Sequence, residues 1–383
     1  MAKMRVLEVG KFYHPYKGGM ETCLYDLCME LKKSVDLRVL VSNDRRGTVV
    51  EEVEGVPVIR VSSMGTLFST SVCPSFPLWL RKMRADIVSL HLPNPLSAVS
   101  YFLARPSGKL VVVYQSDIVR QRLTARLYAP FLSAVLRKAS RIIVSSPDYL
   151  ESSPVLKDFE EKCRVIPIGI DLERFRKSPD VETKAREIRE EYGSRIVLFV
   201  GRLSKYKGVD VLLKAMKQID GRLLVAGRGE EEDRLRSLAG SLGLGERVAF
   251  LGEIHSRDFP DYLHACDVLV LPSVSRNEAF GVIQLEAFAC SKPVVSTALE
   301  TGVRYVNRDG ETGLLVPPGD AAALADAVNS LLADEALRQR MGAVGRARVE
   351  EKFTREKMAY ATLALFHEVE KGKGAWKYPN ERA

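Results

Sequence analysis

Arg202 and Lys207 stand five residues apart in Gly201-Arg202-Leu203-Ser204-Lys205-Tyr206-Lys207-Gly208, directly after the apolar run Ile196–Val200. A planar guanidinium fork beside a point-charge ammonium suits a diphosphate. Two solvated surface cations are the plainer reading. A pair of carboxylates, Glu278 and Glu286, lies eight positions apart in Asn277-Glu278-Ala279-Phe280-Gly281-Val282-Ile283-Gln284-Leu285-Glu286, after the run Val268–Leu271 and Pro272-Ser273. Gly281 at the start of a helix lets backbone N–H groups approach a ligand, and a helix N-terminus favours an anion. Two glutamates at this spacing are common by chance; together with a strand end, Pro-Ser and a helix start they are much rarer. Gly227-Arg228-Gly229-Glu230 follows another apolar run, where a simple strand-to-helix turn explains the glycines equally well.

The first half offers a second set. Gly18-Gly19-Met20-Glu21 follows the first apolar run and opens a helical pattern, so paired glycines permit backbone to pass close to a phosphate or sugar. His91 follows Ile87–Leu90 and either orients its loop or meets an acceptor. The run Leu110–Tyr114 leads into Gln115-Ser116-Asp117-Ile118-Val119-Arg120. Gln115 can hydrogen-bond a hydroxyl but cannot act as acid or base. Asp117 is the candidate to bind or deprotonate an acceptor hydroxyl.

These residues need strands that end at the site and helices that begin there. Short apolar runs at Arg5–Phe12, Leu37–Val41, Ile87–Leu90, Leu110–Tyr114 and Ile142–Val144 alternate with helical patterns, as at 20–31, 96–104 and 124–139. Val165–Arg176 breaks the alternation with Pro and Gly and reads as a linker. A second alternation runs from Ile196 to about Ala333, and two helical stretches follow, 335–352 and 355–371. The expected class is α/β, two doubly wound parallel-sheet domains in tandem with a cleft between them. The domains are expected at 1–168 and 169–354, before a polar tail at 372–383.

The chain has 383 residues, 46% of them hydrophobic and 28% charged, which excludes a disordered or fibrous class. Its apolar runs are strand-sized, far short of the ~20 residues that span a bilayer, and the first 20 residues show no apolar leader core. A cytoplasmic chain is expected. Six scattered cysteines form no Cys-x-x-Cys pair, so reduced buried thiols are expected. Residues 1–178 hold 27 Lys and Arg against 18 Asp and Glu, whereas the remainder holds 30 against 31. Nucleic acid, anionic lipid and phosphorylated substrates all suit the basic half. No nucleic-acid-binding module is recognisable, and no nucleic-acid partner is expected. Eight basic residues and one acid between Arg105 and Arg141, with Leu123, Leu127, Tyr128, Phe131, Leu132, Val135 and Leu136 at helical spacing, suit an anionic membrane surface, as does 77–84 around Trp79. Packing of that apolar stripe on the sheet is the plainer reading.

The segments NEAFGVIQLE, GRLSKYKGVD, PIGID and RDGETGLLVPPGD resemble the retaining, nucleotide-sugar-dependent glycosyltransferases of family 4, with the GT-B fold, over nearly the whole chain. The resemblance implies two Rossmann-like domains, the first binding acceptor and the second a nucleotide sugar, and a C-terminal helix, 355–371, crossing back to the first. It implies that Glu278 touches donor-sugar hydroxyls and Glu286 the ribose, that Arg202 and Lys207 neutralise the diphosphate, and that the backbone of Phe280, Gly281, Val282 and Ile283 binds sugar and phosphate oxygens. Gly18, Gly19, Glu21 and Gly227 complete the expected donor set, and His91, Asp117 and Arg120 the acceptor set. Many relatives carry histidine where this chain has Gln115, which puts in doubt any proton-transfer work at that position. No Asp-x-Asp triplet occurs, so no metal and no separate cofactor are expected. The segments near 116–121 and 145–154 resemble polysaccharide mannosyltransferases, which makes GDP-mannose the expected donor, with a UDP-sugar or a non-catalytic sugar-nucleotide-binding protein as the alternatives. The expected acceptor is a saccharide or lipid-linked glycan at the inner face of a membrane.

Overall fold

Three helices begin with the same two-residue signal. Asn94-Pro95, Ser146-Pro147 and Ser178-Pro179 each place a polar cap, whose side chain accepts from a backbone N–H three residues on, before a proline in the first turn. The cap satisfies an otherwise orphaned donor, and proline costs nothing where no N–H is needed. Most strands between helices are short Val/Ile/Leu runs buried on both faces, as parallel sheets covered by helices require, and the edge strands at 248–252 and 313–316 are only partly so.

The computed structural model describes residues 3–16, 18–67, 70–117 and 122–372. It forms two compact units, one built from the chain up to Gly169 and from Arg355 onward, the other from Ile170–Thr354. In the first unit the strands are β1 (Arg5–Val9), β2 (Asp36–Ser42), β3 (Val49–Val53), β4 (Val56–Val61), the short pair β5 (Thr66–Leu67) and β6 (Thr70–Ser71), β7 (Ile87–Leu92), β8 (Lys109–Tyr114), β9 (Arg141–Val144) and β10 (Cys163–Val165). Its helices are α1 (Gly19–Leu31), α2 (Phe76–Lys82), α3 (Pro95–Ala104), α4 (Arg122–Lys138) and α5 (Pro147–Ser152). The main sheet has the order β10-β9-β8-β7-β1-β2-β4-β3, and every pair is parallel except β3 with β4. The order reverses between β1 and β7.

The second unit contains α6 (Pro179–Tyr192), β11 (Ile196–Val200), α7 (Val209–Ala215), β12 (Arg222–Ala226), α8 (Glu232–Ser241), β13 (Val248–Gly252), α9 (Phe259–Ala265), β14 (Val268–Leu271), α10 (Val282–Ala289), β15 (Val294–Thr297), α11 (Gly302–Val306), β16 (Gly313–Val316), α12 (Ala321–Ala333) and α13 (Glu335–Lys352). Its six strands run β13-β12-β11-β14-β15-β16, all parallel, with the reversal between β11 and β14. Both sheets are doubly wound, as expected from the alternation.

Helix α14 (Arg355–Lys371) returns to the first unit. Its buried face, Met358, Ala361, Leu365 and Phe366, joins a core with Leu24, Leu27 and Cys28 of α1. Burying Leu365 and Phe366 contributes about 1.5–3 kcal/mol each. Lys109 at the start of β8 donates to the Val369 carbonyl at 2.8 Å, a cation on the helix C-terminus. Arg355 pairs with Glu30 of α1 at 3.1 Å. All six cysteines are buried and free. Burial raises their pKa values, to about 12 at Cys23, Cys163 and Cys266.

On α4, Tyr128, Leu132, Val135 and Leu136 are buried, so this part of the apolar stripe packs inward. Phe131, Arg137 and Lys138 remain exposed. The side chains of Leu123 and Leu127 lie outside the described residues.

Candidate functional site

In an open α/β sheet, ligands bind beyond the carboxyl ends of the strands where the strand order reverses. In the second unit that point lies between the loops after β11 and β14, and these loops carry Lys207 and Glu278. Lys207 Nζ lies 2.6 Å from Glu278 Oε2, and both side chains are nearly buried. The Ser273 hydroxyl donates to the same carboxylate oxygen at 2.9 Å. The Thr301 hydroxyl donates to the Glu278 backbone carbonyl at 2.8 Å, anchoring the loop from a third element. Lys207 also lies 5.4 Å from the centroid of the Tyr206 ring. Burial, the largest single influence on the Lys207 ammonium, pulls its pKa down; attraction to Glu278 and Tyr206 and the bond to Glu278 together outweigh it, so the value stands above the ordinary lysine range.

Glycines let these loops approach one another. Gly208 has φ +67°, and an added Cβ would lie 2.1 Å from the Pro272 carbonyl oxygen. Gly227 has φ +131°, and its Cβ would lie 2.0 Å from the Gly201 carbonyl oxygen. No other residue permits either contact. The Gly-Arg-Gly turn thus packs directly on the loop that holds Arg202 and Lys207.

The remaining residues of the second-unit set spread around this pair. Arg202 is three-quarters exposed and lies 3.6 Å from Glu230. Phe280 is buried and meets Phe353 edge to face, 6.2 Å between centroids. Gly281 takes a left-handed conformation and caps α10, and Val282 and Ile283 form its first turn. Glu286 is half-buried in the next turn. Ser273, Thr301 and Tyr206 were not singled out in the sequence. The Pro-Ser step after an apolar run was the only local signal for Ser273, and nothing local marks Thr301.

In the first unit the equivalent reversal brings Glu8 of β1 beside His91 of β7. His91 Nε2 lies 2.8 Å from Glu8 Oε2, with both side chains buried. Gln115 follows β8, its backbone N–H donating to the Leu92 carbonyl at 2.9 Å, and its side chain is buried. Asp117 accepts from the Tyr114 hydroxyl at 2.8 Å and the Ser153 hydroxyl at 2.9 Å. The Asp117 backbone N–H donates to the Tyr149 hydroxyl. Gly18 and Gly19 lead exposed into α1, and the Glu21 carboxylate folds back so that a Cβ on Gly18 would meet it at 2.2 Å. Burial, the larger influence, raises the Glu21 pKa against its own backbone hydrogen bond and the charge of Lys11. Arg120 lies outside the described residues.

Two family models cover most of the chain: the glycosyl transferases group 1 model matches residues 180–348 and the glycosyltransferase family 4 model residues 17–174. The chain is 35% identical over 359 residues to D-rhamnosyltransferase WbpZ of Pseudomonas aeruginosa, covering 92% of each chain. It is 32% identical over 375 residues to O-antigen chain mannosyltransferase C of Escherichia coli, covering 95% of this chain and 98% of the relative. Among solved structures, a sucrose-phosphate synthase from Thermosynechococcus elongatus superposes with a TM-score of 0.83 at 26% identity, over 97% of this chain and all of that one. With sheets, strand order and returning helix as described, this chain belongs to the family 4 glycosyltransferases of the GT-B fold.

Proposed function

We propose that the enzyme moves a hexose, with retention of anomeric configuration, from a nucleoside diphosphate sugar to a saccharide or lipid-linked glycan, and that the donor is GDP-mannose. The buried Lys207–Glu278 pair at the second sheet's reversal carries this reading. Without donor, the ammonium and carboxylate neutralise each other. A diphosphate offers Lys207 a stronger anionic partner, and Glu278, still held by Ser273, then accepts from the hydroxyls of the attached sugar. Arg202, exposed and weakly paired, is placed to swing onto the diphosphate.

The bond from sugar C1 to the diphosphate oxygen breaks as the acceptor oxygen bonds to C1 on the same face. The acceptor proton passes to a leaving phosphate oxygen or through Asp117. Negative charge grows on the diphosphate, and each preorganised cation commonly contributes about 3 kcal/mol to such a transition state. Lys207 and Arg202 supply this charge in place of a divalent cation, so EDTA should leave turnover unchanged. The name of the Escherichia coli relative, a mannosyltransferase, supports a mannosyl donor and a polysaccharide acceptor.

The test is a melting-temperature series against GDP, UDP, ADP and their common sugars. Ligand at a hundredfold excess over Kd stabilises by about 2.7 kcal/mol. A shift with GDP and GDP-mannose is expected; a shift with UDP alone moves the donor to a UDP-sugar, and no shift with any nucleotide refutes the reading. Slow release of GDP from GDP-mannose without acceptor separates an enzyme from a non-catalytic binder.

For the acceptor's source we infer an anionic membrane on its cytoplasmic side. Arg81, Lys82 and Arg84 are exposed around Trp79 of α2, as are Phe131, Arg137 and Lys138 of α4. Among the described residues no helix is long and apolar enough to cross a membrane. Flotation with phosphatidylglycerol vesicles at low salt is expected to carry the protein upward, and failure to do so removes the membrane from the proposal.

A further inference from the structure

The first unit holds a cavity of about 20 Å³ between its sheet and helices α1 and α14, with His91, Gln115, Ser145, Cys23, Met358 and Thr362 among its walls. Four of the buried polar atoms on these side chains have no partner of ordinary hydrogen-bond geometry, His91 Nδ1, Gln115 Oε1 and Nε2, and Ser145 Oγ, and Gln115 meets only the weakly interacting Cys23 thiol. Orphaned buried polar atoms cost about 1–3 kcal/mol each, so a cluster around one small void calls for a guest. The void matches a single water, and the wall offers the two to four polar partners that a buried water takes. The register explains the cluster: His91 pairs with Val113 across β7 and β8, and Val113 with Ile143 across β8 and β9. Two residues beyond Val113 and Ile143, Gln115 and Ser145 face the same side of the sheet.

We propose that His91, held by Glu8, forms with Gln115 and Ser145 a buried water site that positions Asp117, a role that rests on the reading of Asp117 as the acceptor-side carboxylate. A ring nitrogen facing a carboxylate does so as a donor, so the 2.8 Å bond to Glu8 places a proton on His91 Nε2. In a neutral imidazole that tautomer leaves Nδ1 as a bare acceptor. The water donates to Nδ1 and to Ser145 and accepts from the Gln115 amide N–H. Of the titratable groups nearby, Tyr13 after β1 and Cys23 and Cys28 on α1 are raised by burial and stay neutral. Strand β8 adds Tyr114, likewise raised chiefly by burial, and Val113, strand β9 adds Ile143, and helix α14 adds Met358 and Thr362. With its side chain tethered, Gln115 fixes the turn that leads two residues on to Asp117, whose carboxylate is then oriented by Tyr114 and Ser153.

A high-resolution crystal structure of the full chain should show a water within hydrogen-bond distance of His91 Nδ1, Gln115 and Ser145; an empty or apolar void there overturns the proposal. Long-range 15N spectra of the unliganded protein, with His91 assigned by His91→Asn, should show the Nε2–H tautomer. Gln115→Leu should move the Nδ1 resonance and leave Nε2 in place. An imidazolium, an Nδ1–H tautomer or an unmoved Nδ1 refutes it. With GDP-mannose as probe, Gln115→Leu should lower kcat about tenfold or more, as misplacement of a reacting group does, without changing GDP affinity. An unchanged kcat rejects the positioning role. The crystallographic and spectroscopic readings need no substrate, so failure of GDP-mannose to bind would refute the donor assignment alone.

Discussion

Replacing Lys207 by methionine keeps the volume of the side chain and removes its charge. Glu278, 7% exposed, would then keep a buried carboxylate with the Ser273 hydroxyl but without its cation. Removing one partner of a buried pair costs about 3–5 kcal/mol, because the other charge is stranded. In a unit of this size each kcal/mol moves the midpoint by about 2–4 °C, so Lys207→Met should melt roughly 6–20 °C below wild type. Lys207→Met combined with Glu278→Gln removes the stranded charge and keeps an acceptor for Ser273, and should recover most of that loss. The pH dependence follows from the raised Lys207 pKa: the native state holds this proton to higher pH than the unfolded chain does. The stabilisation is therefore complete below the ordinary lysine value of about 10.4 and fades as pH rises through the higher native one. The assay is calorimetry on wild type, both single variants and the double variant, from pH 7 to pH 11. The reasoning fails if Lys207→Met melts within about 1 kcal/mol of wild type, or if the double variant is no more stable than the single one.

Thr301→Val keeps the shape and strands the Glu278 carbonyl, so urea unfolding should report a loss of about 1–3 kcal/mol, and a neutral result would mean that water replaces the hydroxyl. Asp117→Asn still offers an oxygen to Tyr114 and Ser153; its melting point should hold while kcat falls about a hundredfold, and near-normal turnover would take the proton-transfer role away from Asp117. The raised Glu21 pKa means that the native state holds that proton more tightly, so stability falls as pH climbs from the ordinary glutamate value through the native one. Glu21→Gln should accordingly melt higher than wild type at pH 7 and level with it at pH 4. An equal gap at both values would contradict this.

The sequence placed the strand ends well because buried parallel strands are unbroken apolar runs. The loops after Ile196–Val200 and Val268–Leu271 stand where those runs stop. What no run reveals is the pairing of side chains 71 residues apart, such as Lys207 with Glu278, since that depends on which strands become neighbours. Arg202 and Lys207 are both cations of one loop in the sequence, yet one is turned to solvent and the other enclosed. Glu8 reads as an ordinary charge inside Arg5–Val9, and only the β1–β7 adjacency brings it to His91. The β3–β4 hairpin is not legible in the sequence, because exposed β3 lacks an apolar signature. Helix α6 carries no signal in the sequence reading because it follows directly on the Pro- and Gly-punctuated stretch after Val165 and buries only Ala185.

The concealment of every thiol has a practical corollary. Alkylating dyes attack the thiolate, and six sulfurs that are enclosed and reluctant to ionise will take up label slowly. A cysteine introduced at Val50 or Tyr360, 66% and 69% exposed, should react well ahead of them. Fluorophores or spin labels can then be attached at chosen points of the wild-type background, without first stripping out its native sulfhydryls.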